Sequence, residues 1–446
     1  MDARTHSDLP LFATALAIVL VLQSLLIFNP GYLSHDELQW GYYATQFKGG
    51  FFGNGLWTDV HAFQYRPLTF SLWIVLSRNL FEHPYAFHAV IVAWGAANTG
   101  LLATLLRRHG VTVGASLVAA LVFALGPYGA YVHGWVATIA DLIWMSSALS
   151  IGLLVQEVRK PWTVFVAGFV LTCMALLAKE AAIVIPALAI LAWWFSGRQR
   201  AWGMAALASS VPVALYLVVR LKTILFSAES TGTIYHWSLF SIPTRWLEYQ
   251  LFPMLTSRLG AGDFLAKGLT SRPVLMAIVG WALLAGTLAK TGFRWLLAFI
   301  LGGAVALGPV LLLADAANQY GYGFAAVTTG VVVLAWQSME SASRWVAAAI
   351  ACLCVWHGIN IMRSTHDIGV KQSRFSPALA SAVASSAEPV RLRPLIEKDR
   401  WIYVRLTHEI PSYRGVAIGN RVRLVRAAEP ADYVIGRMGE LTLAHP

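Results

Sequence analysis

The chain has 446 residues, 57% of them hydrophobic and only 12% charged, with 18 tryptophans and a formal net charge of +11. So little charge excludes an ordinary soluble enzyme and predicts an all-α polytopic membrane protein, with Trp collecting at the membrane interfaces. The positive balance does not call for nucleic acid, because the basic residues punctuate hydrophobic runs, where they set topology.

The first apolar run, Leu9 to Phe28, has neither a basic leader nor a small-residue cleavage site, and reads as a retained helix. Together with runs at about 84–106, 111–126, 138–156, 162–178, 181–195, 201–219, 273–289, 295–313, 322–338 and 345–362, it predicts about eleven transmembrane helices. Arg107-Arg108, Arg159-Lys160, Arg198 with Arg200, Lys290 with Arg294, and Arg344 fall in alternate short connections. The positive-inside rule assigns those connections to the cytoplasm and the others to the outer face. An extra span at Trp246 to Arg258 would reverse the chain from 273 onward, and the basic loops argue against it. Cys173, Cys352 and Cys354 lie within apolar runs, so neither a disulfide framework nor a zinc site is expected. No internal repeat is evident, nor the pair of matching broken segments of an inverted-repeat transporter.

The loop at about 30–83 has its own pattern. Ser34 followed by Glu37 fits a capping box, and Trp40, Tyr43, Ala44 and Phe47 then recur at helical spacing, which predicts a short amphipathic helix in the interface. A second helix is expected from Pro67, with Leu68, Leu72, Val75 and Leu76 on one side. Residues 1–363 thus form the membrane domain, and 364–446 a small soluble α/β appendage. In the appendage Ser376 to Ala387 reads as helix, and Trp401–Leu406, Val416–Val425 and Tyr433–Ile435 as short strands. The odd helix count puts this appendage on the outer face, over the same surface as Asp36, where it can guide an acceptor without entering the chemical step.

Asp36 and Glu37 are the leading candidates for chemistry. A carboxylate at the membrane edge keeps its charge and still meets a lipid-borne substrate, and the first turn of a helix favours the ionised form, so Asp36 reads as a general base. Glu37 occupies the capping-box position and serves either as a cap or in the site. His61, Tyr65 and Arg66 follow, with Arg66 able to clamp a phosphate or simply to snorkel. Asp141 sits at the outer end of the fourth helix, as site residue or structural hydrogen-bonder, and Tyr131 and His133 line a pocket there or anchor the interface. Lys179-Glu180 splits an apolar stretch into halves too short to span separately, so Lys179 lies below the membrane surface and needs an anion, supplied either by Glu180 or by a lipid phosphate. Arg220 and Lys222 put positive charge on the outer face against the usual bias, which suggests an anionic ligand.

These motifs, in order, resemble a known superfamily. Asp36-Glu37 after the first helix, Tyr65-Arg66-Pro67-Leu68, Phe123-Ala124-Leu125-Gly126-Pro127 running on to Asp141-Leu142, Leu177-Ala178-Lys179-Glu180, Tyr216-Leu217-Val218-Val219-Arg220 and Asn318-Gln319-Tyr320-Gly321-Tyr322 resemble the GT-C glycosyltransferases over about residues 10–340. Within it the protein O-mannosyltransferase-like and aminoarabinose-transferase-like branches are closest. The chain departs from their pattern at Gly126, Tyr131, Ile139 and Gln319. The resemblance implies a hexosyl- or pentosyltransferase of the inner or plasma membrane, with its site facing the periplasm or cell exterior. Such an enzyme moves a sugar with inversion from a polyprenyl-phosphate carrier to an acceptor lipid, glycan or protein. It implies Asp36 as base, Arg66, Lys179 and Arg220 as donor-phosphate contacts, and Tyr320 and Tyr322 beside the pocket. It leaves a divalent metal open.

No dinucleotide-binding fingerprint is present, which argues against a cytosolic sugar nucleotide as direct donor. Two other readings compete. A glycan ligase or polymerase using a polyprenyl-pyrophosphate donor would concentrate its residues in a large late loop, whereas here the acidic pair is in the first. A non-enzymatic lipid or ion transporter would place ionisable groups near the midplane, and only Lys179-Glu180 has that character.

Overall fold

The computed structural model describes residues 8–53, 55–157, 160–226, 237–262, 264–265, 268 and 270–444. Arg159, one of the expected topology residues, lies outside the described residues. Seventeen α-helices are formed by the described residues: α1 (Asp8–Leu22), α2 (Ser24–Ile27), α3 (His35–Gln46), α4 (Pro67–Leu80), α5 (Pro84–Arg108), α6 (Val113–Leu125), α7 (Pro127–Gly134), α8 (Ile139–Glu157), α9 (Pro161–Ala178), α10 (Ile185–Phe195), α11 (Arg200–Phe226), α12 (Ile242–Leu251), α13 (Arg272–Thr291), α14 (Phe293–Leu307), α15 (Tyr322–Trp336), α16 (Ser341–Ser385) and α17 (Arg400–Thr407). Every apolar run of the sequence is helical. By length and composition seven helical segments of the described residues suit crossing a membrane, or eight if α6 and α7, bent by 62°, count as one. The other runs make shorter helices: α1 and α15 have 15 residues each and α10 has 11.

Two of the breaks are written in the local sequence. Gly126 ends α6 in extended backbone and Pro127 begins α7, the position where a missing N–H costs nothing. Lys179 is extended (φ −158°, ψ 139°), so α9 stops at Ala178 and a 3₁₀ turn, Glu180–Val184, leads into α10. Both breaks leave backbone groups among apolar helices, tolerable only where protein surrounds them.

At one end of the bundle Arg108 joins Asp8 (2.8 Å) and Glu157 (3.0 Å), and His109 stacks on Trp202 with centroids 6.2 Å apart. This gathers the basic connections after α5 and before α11. At that end, an apolar cavity of about 410 Å³ lies between α5, α8, α10, α11, α14 and α15. The opposite end carries α3 and α4, which form where the sequence places them but meet outside the expected stripe: Trp40 stacks on Phe70 and Trp73 at 4.9 and 4.7 Å, while Val75 is 40% exposed.

Helix α16 ties the ends together. It is 45 residues long, about 67 Å at 1.5 Å per residue, more than twice a hydrocarbon core of roughly 30 Å. The change of composition at Ser364 is therefore no break in the chain: the helix that carries the last apolar run continues into the C-terminal unit. Its glycines allow the contact. A Cβ on Gly358 would lie 1.7 Å from the Leu125 carbonyl oxygen, and one on Gly369 1.7 Å from Asn29 Oδ1. Gly358→Ala is expected to force α16 off α6 and to cost about 1–3 kcal/mol, measurable as a lowered melting temperature in detergent.

The C-terminal unit is a small α/β sheet, β4 (Val422–Leu424), β1 (Val390–Pro394), β5 (Tyr433–Ile435) and β6 (Leu441–Leu443) in that spatial order. Strand β1 runs parallel to β4 and β5, while β6 is antiparallel to β5. A hairpin of β2 (Ser412–Tyr413) and β3 (Val416–Ala417) turns through Arg414 and Gly415, both at positive φ, as a tight hairpin turn requires. Trp401–Leu406 is a helix, α17, and not the expected strand. Its β-branched composition suits a strand, but Ile402, Tyr403 and Leu406 are buried while Val404 is 46% exposed, a helical spacing that alternation cannot produce. Val416–Val425 is likewise not one strand, because a 3₁₀ turn at Gly419–Arg421 divides it.

Candidate functional site

The expected residues fall into three groups. The first is the acidic pair at the start of α3. Ser34 caps the helix and the reciprocal capping box with Glu37 is formed. Glu37 is fully buried and accepts hydrogen bonds from Ser34 N (2.9 Å), Ser34 Oγ (2.8 Å) and Leu33 N (3.4 Å). Burial, and then the neighbouring Asp36 charge, push its carboxyl up to about 7 against the pull of Ser34 and Arg405. Asp36 points the other way: its side chain is 32% exposed, with Oδ2 2.9 Å from Ser34 Oγ and Oδ1 3.6 Å from His35 Nε2. Asp36 can therefore meet a substrate, whereas Glu37 holds the helix start.

A pH dependence follows from Glu37. A carboxyl raised above its unfolded value favours the fold while protonated, so its contribution is complete below about pH 4.5 and is lost as the pH rises through about 7. Glu37→Gln should accordingly lower the melting temperature little, if at all, at pH 8 relative to its effect at pH 5. A melting-temperature difference independent of pH would show that Glu37 does not titrate there.

The second group lies at the break between α9 and α10. Lys179 Nζ is 2.6 Å from both oxygens of Asp141, both side chains being almost wholly buried. Lys179 also sits over the Tyr320 ring at 4.9 Å. Glu180 is not the partner of Lys179: it pairs with Arg66 at 2.7 Å, because the extended backbone at Lys179 sends successive side chains to opposite sides. Arg66, Lys179, Glu180 and Tyr320 line a cavity of about 280 Å³ whose other walls include Leu217, Leu221, Ile224, Val310 and Leu313. Arg220, buried on α11, donates from Nη1 to the carbonyls of Val60 (2.6 Å) and Ala62 (2.5 Å) and from Nη2 to that of Phe63 (2.9 Å), and lies over the Tyr65 ring at 5.5 Å. It thereby fixes the 60–66 segment that delivers Arg66.

Arg66 thus pairs with Glu180 and Lys179 with Asp141, while Arg220 gives its guanidinium to backbone carbonyls. In the cavity wall the Trp237 indole Nε1 is buried without a hydrogen-bond partner among the described residues, whereas the Tyr216 hydroxyl and Arg220 meet each other on α11. Such a donor is costly unless a ligand or water meets it.

The third group is structural. His133 is fully buried between Gln23 Oε1 (2.8 Å) and the Tyr322 hydroxyl (2.9 Å), so neither residue lines the cavity. His61 is exposed in the loop, its N–H on Asp59, and does not join either cluster. Sequence reasoning missed Arg405, which faces Glu37 and Asp36 from α17, and Trp237; neither lies in a motif, and both come from distant parts of the chain. Among the described residues no three His, Cys, Asp or Glu side chains are grouped to hold a metal ion. No protein-family model, curated protein or solved structure matches this chain.

Proposed function

We propose that this protein is an inverting glycosyltransferase of the GT-C type that takes a sugar from a polyprenyl-phosphate donor and gives it to an acceptor lipid, glycan or protein. The observation that supports it most is the cavity whose apolar walls carry Arg66 and Lys179 together with the unpartnered Trp237 indole N–H. A phosphate on a long apolar chain has matching chemistry: the chain takes the wall of Leu and Val side chains and the phosphate takes the cations. As the glycosidic bond breaks, negative charge grows on the departing phosphate, and Arg66, Lys179 and Arg220 stabilise it in a low dielectric. Asp36 accepts the proton of the attacking acceptor group, and attack from the face opposite the phosphate inverts the anomeric carbon. In this reading all eleven apolar helices enter the membrane, with Asp36 and the C-terminal unit on the periplasmic or exterior face of the inner or plasma membrane.

Binding of undecaprenyl phosphate to the protein in nanodiscs tests the donor site. Arg66→Ala and Arg220→Ala should each weaken it by about tenfold or more, and Arg66→Lys should fall short of the wild type if the fork of donors is used. Equal affinity in all variants would remove the phosphate site. A transporter is the second reading, favoured by the buried Lys179–Asp141 pair, since paired ionisable groups within the apolar layer mark ion pathways. Proton or lipid flux in proteoliposomes that Asp141→Asn abolishes would support it.

A further inference from the structure

The acidic pair is closed from above by the other end of the chain. Helix α17 packs on α3, Gln39 Nε2 donates to the Glu409 carbonyl at 2.9 Å, the His35 and His408 rings meet edge to face with centroids 5.2 Å apart, and Arg414 pairs with Glu82 at 2.9 Å. At the centre of this seam the Arg405 guanidinium lies 5.1 Å over the Trp135 ring. Trp135 Nε1 donates to Ser34 Oγ at 3.2 Å, and that oxygen touches both Asp36 Oδ2 and Glu37 Oε2. A single hydroxyl proton cannot serve two carboxylates. A cation is needed beside the pair if both are to ionise, and Arg405, seated on the Trp135 ring that holds Ser34, is the arginine that acts on both.

We propose that the site is built from both ends of the chain: Arg405 of the C-terminal unit is a positioning residue that holds the Asp36–Glu37 pair in place for chemistry, and the unit is a wall of the site. This rests on Asp36 acting as the base. The unit is then no detached acceptor guide, as its position in the sequence suggested, because the acidic pair is incomplete without it. The groups facing the pair are Tyr32 just before α3, His35 on α3, Tyr131 on α7 and Arg405 of the unit, with His408 and Glu409 of the unit beside His35. Of these, Arg405 pulls the Glu37 carboxyl down, so its loss should move Glu37 further above 7.

The test uses the full chain in nanodiscs, with its three native cysteines replaced and cysteines at Gln39 and Glu409 joined by a short bis-maleimide so that the unit stays docked. Dicyclohexylcarbodiimide modifies protonated carboxyls in apolar surroundings, and peptide mass spectrometry reads its addition at Glu37 between pH 5 and 9. In the otherwise unaltered protein the midpoint should lie near pH 7. Arg405→Met should raise it by about one unit, and Arg405→Lys, which keeps the charge, should leave it close to the original. The same shift should appear in the acid limb of the transfer rate. A midpoint that Arg405→Met leaves in place, or that Arg405→Lys moves as far, overturns the proposal. Absence of sugar transfer in the wild type would defeat the glycosyltransferase reading instead, without altering the midpoints.

Discussion

Asp36→Asn is expected to reach the membrane and bind undecaprenyl phosphate as the wild type does, while transferring sugar on the order of 10²-fold or more slowly. The structure separates the two effects. Helix α3 is capped by Ser34 and Glu37, so replacing Asp36 removes no cap. The cations assigned to the donor phosphate lie just after α9, on α11 and in the segment before α4, and the ion pairs of Lys179 and Arg66 are with Asp141 and Glu180, not with Asp36. What the amide cannot do is take a proton. The loss should therefore fall on kcat, with the donor Kd unchanged. A well-folded Asp36→Asn protein with full transfer activity would exclude Asp36 as base.

The second large effect concerns Lys179 and Asp141. Lys179→Met alone strands the Asp141 carboxylate in the apolar layer, and breaking a buried pair in this way costs about 3–5 kcal/mol, so the single variant should melt far below the wild type or fail to accumulate. Lys179→Met with Asp141→Leu removes both charges together and should recover most of that stability, because an apolar pair of similar volume is about as stable as a buried ion pair. If Lys179 serves the donor phosphate, the recovered double variant still binds undecaprenyl phosphate poorly. Recovery of both stability and binding would reduce the pair to a structural clamp, and the melting temperature and the lipid affinity of the same preparation decide between the two.

Much of the fold was legible because its signals are local. Ser34, Glu37 and Pro67 mark the starts of α3 and α4 through the capping chemistry of their own side chains, and the Lys179-Glu180 break shows in two hydrophobic half-runs. Partnership was not legible. Glu180 is adjacent to Lys179 in sequence, yet extended backbone turns it to Arg66, while Asp141 arrives from 38 residues earlier. The path of α16 was hidden for a different reason: its solvated half is polar and carries Pro377, so composition signals an end where the helix continues. Arg405 was invisible because its role depends on α17 folding back over α3, a contact between residues more than 360 positions apart.

The measurement that bears most directly on the proposed function is mass spectrometry of lipid extracts from cells with the gene, without it, and carrying Asp36→Asn in its place. Cells without the gene, and those with Asp36→Asn, should accumulate a polyprenyl-phosphate sugar and lose one glycosylated product, with both restored by the wild-type chain. Identical extracts from all three, or full restoration by Asp36→Asn, would contradict a lipid-linked glycosyltransferase with Asp36 at its centre.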